Sequence, residues 1–226
     1  MRLLLISSST VHGYGYLDHP EPEIRRTLEG LRRVGFVPFA MHDVDGYTKT
    51  VKQRLGAMDF DVTPIRKASD LDTVEAIFVG GGNTFRLLRE LYERELLDPI
   101  RNRVRNDGVP YIGSSAGTNV ATPSIKTTND MPIVYPPSFD ALGLVPFQIN
   151  PHYLDVDPAS THKGETREQR LREYLEENDT PVVGLREGSA LRVEQGTVTL
   201  VGVHPARIFR KGEEPFEVDT GSVITV

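Results

Sequence analysis

Residues 113–117 read Gly-Ser-Ser-Ala-Gly, a G-x-S-x-G run centred on Ser115. A serine on such a run can attack a carbonyl carbon when the chain bends sharply from strand into helix around it. The flanking residues suit that bend. Residues 109–112 read as a buried strand, and 116–121 are small and able to form a helix. Small neighbours relieve crowding at the turn. The helix start offers free N–H groups, Ala116 first among them, and a positive dipole end where an oxyanion would form. The bland reading is a tight turn that uses small residues for steric reasons. Ser114 is the rival nucleophile, but Ser115 holds the centre of the motif.

A serine hydroxyl is a weak nucleophile until an adjacent base takes its proton. The chain offers six histidines, at positions 12, 19, 42, 152, 162 and 204. His152 follows the strand-like run 147–150, and Pro151 fixes the chain before it. That places it on a loop at a sheet edge, where active sites of α/β proteins lie. His12 and His19 sit in a polar N-terminal loop and are either solvated or line a pocket. His162 opens a charged segment that can lie near the site, and His42 and His204 read as surface residues. A carboxylate must then fix the imidazole tautomer. Glu187, just after the apolar run 182–185, and Asp130, in an Asn-Asp-Met-Pro turn, are the two candidates.

Gly80-Gly81-Gly82-Asn83 follows the apolar run 77–79 and opens a helix. It lacks both the G-K-[ST] ending of a phosphate loop and the G-x-G-x-x-G spacing of a dinucleotide site. An oxyanion hole shared between the N–H groups of Gly81 and Ala116 fits it better; a plain tight turn is the alternative. Asn83 is a helix cap by type, or a polar contact to substrate. Arg167 lies in the charge-alternating stretch 163–177, where most side chains are solvated helix face. A guanidinium is nevertheless the natural bidentate partner of a substrate carboxylate.

The elements that must position these groups alternate in type. Residues 1–6, 36–40, 62–65, 77–79, 109–112 and 182–185 read as strands. Residues 21–34, 48–55, 84–95, 99–106 and 166–177 read as helices, with Gly35 at the C′ position of the first; 71–75 fit neither pattern. Strand–helix alternation over 1–185 predicts an α/β fold, a mostly parallel sheet flanked by helices on both faces. A hairpin over 191–200, turning at Gln195-Gly196, and short β segments to residue 226 predict antiparallel additions at the sheet edge. The whole of 1–226 reads as a single hydrolytic domain. At 226 residues and 38% hydrophobic, the chain can bury a core without a metal or disulfide staple. It has no cysteine, which removes disulfides, thiolate catalysis and Cys-based metal sites. A net charge of −6 with no basic stripe argues against a nucleic-acid partner. No apolar run approaches the roughly 20 residues of a membrane span. The residues 1–6 are too short a run for a signal sequence, so the expected location is the cytoplasm.

Taken together, the runs IFVGGGNTFRLL (77–88), YIGSSAGTN (111–119), TTNDMPIV (127–134), FDALGL (139–144), QINPH (148–152), HKGETREQR (162–170) and GLREG (184–188) resemble the peptidase E family of aspartyl dipeptidases, serine peptidase family S51. The resemblance covers roughly half the chain in order. It implies a fold like that of class I glutamine amidotransferases, with serine in place of their cysteine. It implies hydrolysis of Asp-X dipeptides without metal; no cofactor is expected, and the chain is expected to act as a monomer or homodimer. It places the nucleophile at Ser115, the base at His152, the third triad member at Glu187, a further activity-supporting aspartate at Asp130, and the grip on the substrate's aspartyl carboxylate at Arg167. The chain departs from the family in having Ser114 where an aromatic residue commonly precedes the nucleophile, and in the segment 153–160. Related peptidases of shifted specificity (cyanophycinase-like or broader aminopeptidases) and a non-catalytic amidotransferase-like binding module are the competing readings.

Overall fold

The structure is a computed structural model that describes residues 1–156, 159, 161 and 163–226. Its first strand, β1 (Arg2–Ile6), is apolar on both faces, as a strand covered by helices on each side must be. β1 pairs in parallel with β5 (Tyr111–Ser114), and β5 with β4 (Ala76–Val79). β2 (Arg33–Val37) and β3 (Asp61–Pro64) extend this parallel series to the order β3-β2-β4-β5-β1. On the other edge of β1 the late chain returns: β8 (Ser189–Glu194) lies antiparallel to it and continues into β9 (Thr197–Gly202). The hairpin turns at Gln195 and Gly196 with φ of +50° and +83°, the left-handed pair a two-residue hairpin requires.

The side-chain period of two splits the core into two layers. Leu3 and Leu5 pack with residues of α3 (Thr84–Glu93), α4 (Leu97–Arg105) and α5 (Ala116–Val120). Leu4 and Ile6 pack on the opposite face with α1 (Glu21–Thr27) and α2 (Val44–Gly56). The sequence places helices on both faces, and the structure does the same. The first helix is shorter than the predicted 21–34. It stops at Thr27, Gly30 takes φ +80°, and Val34 to Val37 are fully buried strand residues. Gly35 is therefore not a helix stop. A Cβ on it would lie 2.8 Å from Ile65 Cδ1 and 2.9 Å from Val74 Cγ2, so it is small for the sake of packing. α2 starts earlier than predicted because the Asp43 side chain accepts from the Gly46 amide and caps it.

The late strands do not all join the first sheet. β6 (Gln148–Pro151) and β7 (Val182–Leu185) pair in parallel in a second, four-stranded sheet. Its other members, β10 (Ala206–Phe209) and β11 (Phe216–Val218), are antiparallel. α6 (Arg167–Glu177) covers this sheet through Leu171 and Leu175, which pack with Val182, Phe209 and Tyr153. Only the β8–β9 hairpin extends the edge of the first sheet as predicted. Among the described residues, no helix is long and apolar enough to cross a membrane.

The junction between β5 and α5 is tied to β1 from inside. Thr118 is fully buried, and its hydroxyl lies 2.7 Å from the Ile6 carbonyl and 2.9 Å from that of Gly113. Thr118→Val keeps the shape and removes the donor. A buried hydrogen bond lost in this way costs about 1–2 kcal/mol. Denaturant unfolding should show a lower midpoint at unchanged m-value; an unchanged midpoint would show that the bond carries no net stability.

Candidate active site

Strands of both sheets end at one site, and each delivers a piece of it. β5 delivers Ser115. This residue sits between the strand and α5 with φ +51° and ψ −106°, a conformation that L-residues adopt only when their surroundings impose it. Its surroundings do so. The Ser115 amide donates to the Ile6 carbonyl (3.0 Å), and its carbonyl accepts from the Thr118 and Asn119 amides (both 2.9 Å). The Tyr111 hydroxyl donates to the Gly117 carbonyl at 2.6 Å. A Cβ on Gly117 would lie 2.0 Å from the Val79 carbonyl oxygen, and one on Gly113 would lie 2.5 Å from the Gly117 carbonyl oxygen. The glycines of the motif are thus steric requirements of the bend. Ser114 is fully buried within β5, which leaves Ser115 as the serine of this run that faces the site.

β6 of the second sheet delivers His152, also at positive φ (+54°). Its Nε2 lies 2.7 Å from Ser115 Oγ, and its Nδ1 lies 2.7 Å from Glu187 Oε1. With Nδ1–H donating to Glu187, Nε2 is left to accept the serine proton; the hydrogen-bond network assigns this tautomer. The imidazole and carboxylate are 38% and 47% exposed, so the chain of groups opens to solvent on one side. Ser7, at the end of β1, joins the two sheets behind it. Its hydroxyl donates to the Leu185 carbonyl (2.8 Å) and accepts from the His152 amide (2.9 Å). Sequence reasoning gave Ser7 no role. The available signal was a run of four hydroxyl residues at the carboxyl end of the first strand.

Asp130 and Glu187 were alternative partners for the imidazole, and it is Glu187 that touches His152. Asp130 is spent elsewhere. Its Oδ2 accepts from the Thr84 amide (2.7 Å) and the Thr84 hydroxyl (2.6 Å), at the start of α3. Asn83 caps the same helix: its Oδ1 accepts from the Arg86 amide (3.0 Å), and its Nδ2 donates to the Met131 carbonyl (2.9 Å). Of the two readings of Asn83, the cap is the one these bonds show. Gly81 also differs from expectation. Its N–H donates to the Tyr47 hydroxyl at 2.9 Å and so is already engaged, whereas Ala116, as the first residue of α5, has no intrahelical acceptor for its N–H.

Arg167 is the first residue of α6, half-buried, near Asp130, and without an ion pair among the described residues. Burial and the Arg170 charge lower its pKa, and the Asp130 carboxylate counteracts them. His162 lies outside the described residues. His19 lies within reach of the Glu187 charge and the Ser8 backbone. Its ring nitrogens are shut off from solvent, and burial lowers its pKa from 6.5, partly offset by the charges of Asp18 and Glu187 and by the Ser8 backbone. A cavity of about 370 Å³ opens over Ser115, His152 and Glu187; the Gly81–Gly82 turn, Tyr16, Tyr47 and residues 8–10 form its other walls. Among the described residues, no group of three or more His, Asp or Glu side chains is arranged to hold a metal ion.

The burial of His19 gives a pH test. A base whose folded pKa is depressed stabilises the fold above its unfolded pKa and loses that contribution as pH falls below about 6.5. Between pH 7.5 and 5.5, wild type should therefore lose more thermal stability than His19→Gln. Parallel stability–pH curves would contradict the burial of a neutral His19.

Comparison with known proteins gives the site a context. A model of peptidase family S51 matches residues 3–201. A peptidase E of Streptomyces coelicolor is 56% identical over 98% of this chain and 93% of its own. A Drosophila melanogaster protein named "probable alpha-aspartyl dipeptidase" is 53% identical over 92% of this chain and 89% of its own. The crystal structure of a peptidase from an acI-B1 actinobacterium shares the fold with a TM-score of 0.71 over 100% of this chain and 96% of its own, at 17% identity.

Proposed function

The chain belongs to peptidase family S51, and from that premise we propose that it hydrolyses dipeptides with an N-terminal aspartate through an acyl-enzyme on Ser115. The observation that carries this reading is the continuous chain from Ser115 Oγ to His152 Nε2 and from His152 Nδ1 to Glu187 Oε1, each step 2.7 Å. The names of the similar proteins, peptidase E and alpha-aspartyl dipeptidase, support the choice of substrate.

In this reading, His152 takes the Ser115 proton as Oγ attacks the peptide carbonyl. The imidazolium is stabilised by Glu187. The N–H of Ala116 meets the developing oxyanion. The second donor is the N–H of Gly82, which lines the cavity, in place of the engaged Gly81. Each such donor contributes about 3–4 kcal/mol to lowering the barrier. His152 then protonates the leaving amine, and water, activated by the same imidazole, releases aspartate from the serine ester. Arg167 has no ion pair among the described residues and lies near Asp130, which suits a grip on the substrate's β-carboxylate with its α-ammonium near Asp130.

Two measurements test this. Ser115→Ala should lower kcat on Asp-Leu by about four to six orders of magnitude with the melting temperature retained; full activity in that variant would end the proposal. On a panel of Asp-X, Asn-X, Glu-X and β-Asp-X peptides, Arg167→Ala should narrow the preference for Asp-X over Asn-X about a hundredfold, the scale of losing one partner of a desolvated charge pair. An unchanged preference would remove Arg167 from substrate recognition, and a wild-type preference for β-Asp-X would shift the substrate assignment.

A further inference from the structure

One wall of the cavity carries hydrogen-bond donors that the mechanism above leaves unused. Tyr47 Oη accepts from the Gly81 amide at 2.9 Å and lies 3.3 Å from Tyr16 Oη. The two phenols hold two protons between them and share one mutual contact. One O–H is therefore left over, and it has no acceptor among the described residues. Burial raises both phenol pKa values, so neither proton is lost near neutral pH. Ser8 is a second case. It is 2% exposed, it lines the same cavity, and its Oγ has no hydrogen-bond partner among the described residues. A buried unsatisfied hydroxyl costs roughly 1–3 kcal/mol, so a ligand that satisfies these groups is rewarded.

The position of this wall says which part of a ligand it meets. Tyr16, Tyr47 and Ser8 line the cavity together with Ser115 and His152, whereas Asn83, Asp130 and Arg167 of the proposed aspartyl grip are not among the described residues that line it. With the acyl residue on the Arg167 side, the space above Ser115 and His152 receives the leaving residue. At about 370 Å³ that space is at the small end of ligand cavities. Beyond the scissile bond, the strongest acceptor on a dipeptide is its terminal carboxylate. Among the described residues, no Lys or Arg lines the cavity to meet it.

We propose that Tyr47, supported by Tyr16 and joined by Ser8, binds the free α-carboxylate of the leaving residue through neutral hydroxyl donors, and that this contact selects dipeptides over longer chains. This rests on the peptidase reading. The test compares Asp-Leu with Asp-Leu amide, which differ only in that carboxylate. Wild type should favour the acid. In Tyr47→Phe the ratio of kcat/KM for acid over amide should fall about tenfold or more, through KM. In Ser8→Ala it should fall severalfold, and this smaller change keeps the test alive if Tyr47→Phe does not fold. In Tyr16→Phe, Tyr47 keeps its proton and its Gly81 contact, so the fall should be smaller than in Tyr47→Phe. An unchanged ratio in folded Tyr47→Phe and Ser8→Ala, or an equal loss of kcat on acid and amide, overturns the subsite. A larger fall in Tyr16→Phe overturns the choice of Tyr47 as donor. If wild type cleaves neither compound, the peptidase reading itself has failed; if it cleaves both without this pattern, only the subsite falls.

Discussion

Everything at the site depends on holding Ser115 in a backbone conformation that it would not adopt alone. A serine at φ +51° and ψ −106° costs on the order of 1–3 kcal/mol and persists only where packing over-determines it. Here β1 supplies the Ile6 carbonyl to its amide, and β4 leaves space at Val79 only for a residue without a side chain at position 117. Tyr111 and Thr118 close the bend from within. The same bend aims the hydroxyl outward and opens α5 with an unengaged N–H. Nucleophile and oxyanion donor are thus two results of one steric constraint.

The second requirement is that an imidazole from a different sheet arrive within proton-transfer distance. β6 and β7 do not pair with the first sheet, so no backbone ladder sets the distance between Ser115 and His152. A side chain does. Ser7 reaches from the end of β1 to the His152 amide and the Leu185 carbonyl, which fixes the base, the strand before Glu187 and the nucleophile's sheet to one another. The Arg186 guanidinium, beside Glu187, is held by Asp155, Glu217 and the Pro205 carbonyl. This restrains the turn that presents the carboxylate.

Much of this is legible in the sequence, and for physical reasons. The bend could be read because its steric demands leave a mark: only small residues fit at 113, 116 and 117. The buried parallel strands could be read because they are apolar without alternation. Gly35 was misread because a glycine after a helix-like apolar spacing signals a stop, whereas here it admits Ile65 and Val74 between layers. The second sheet was not visible because strand pairing is a long-range choice that local pattern does not encode. Asn83 and Gly81 were read correctly as parts of a tight helix-opening loop. Their side-chain and amide partners, Met131 and Tyr47, are distant in sequence and carried no local signal. Tyr47 in particular looks like any half-buried helical tyrosine until the fold brings it to the glycine loop.

The proposed chemistry requires that His152 activate Ser115. Intact-mass analysis after treatment with a fluorophosphonate, followed by fragment mapping, reports this directly. It should give a single adduct on Ser115, formed much more slowly in folded His152→Ala. An adduct on any other residue, or labelling of Ser115 at the same rate without the imidazole, would contradict it.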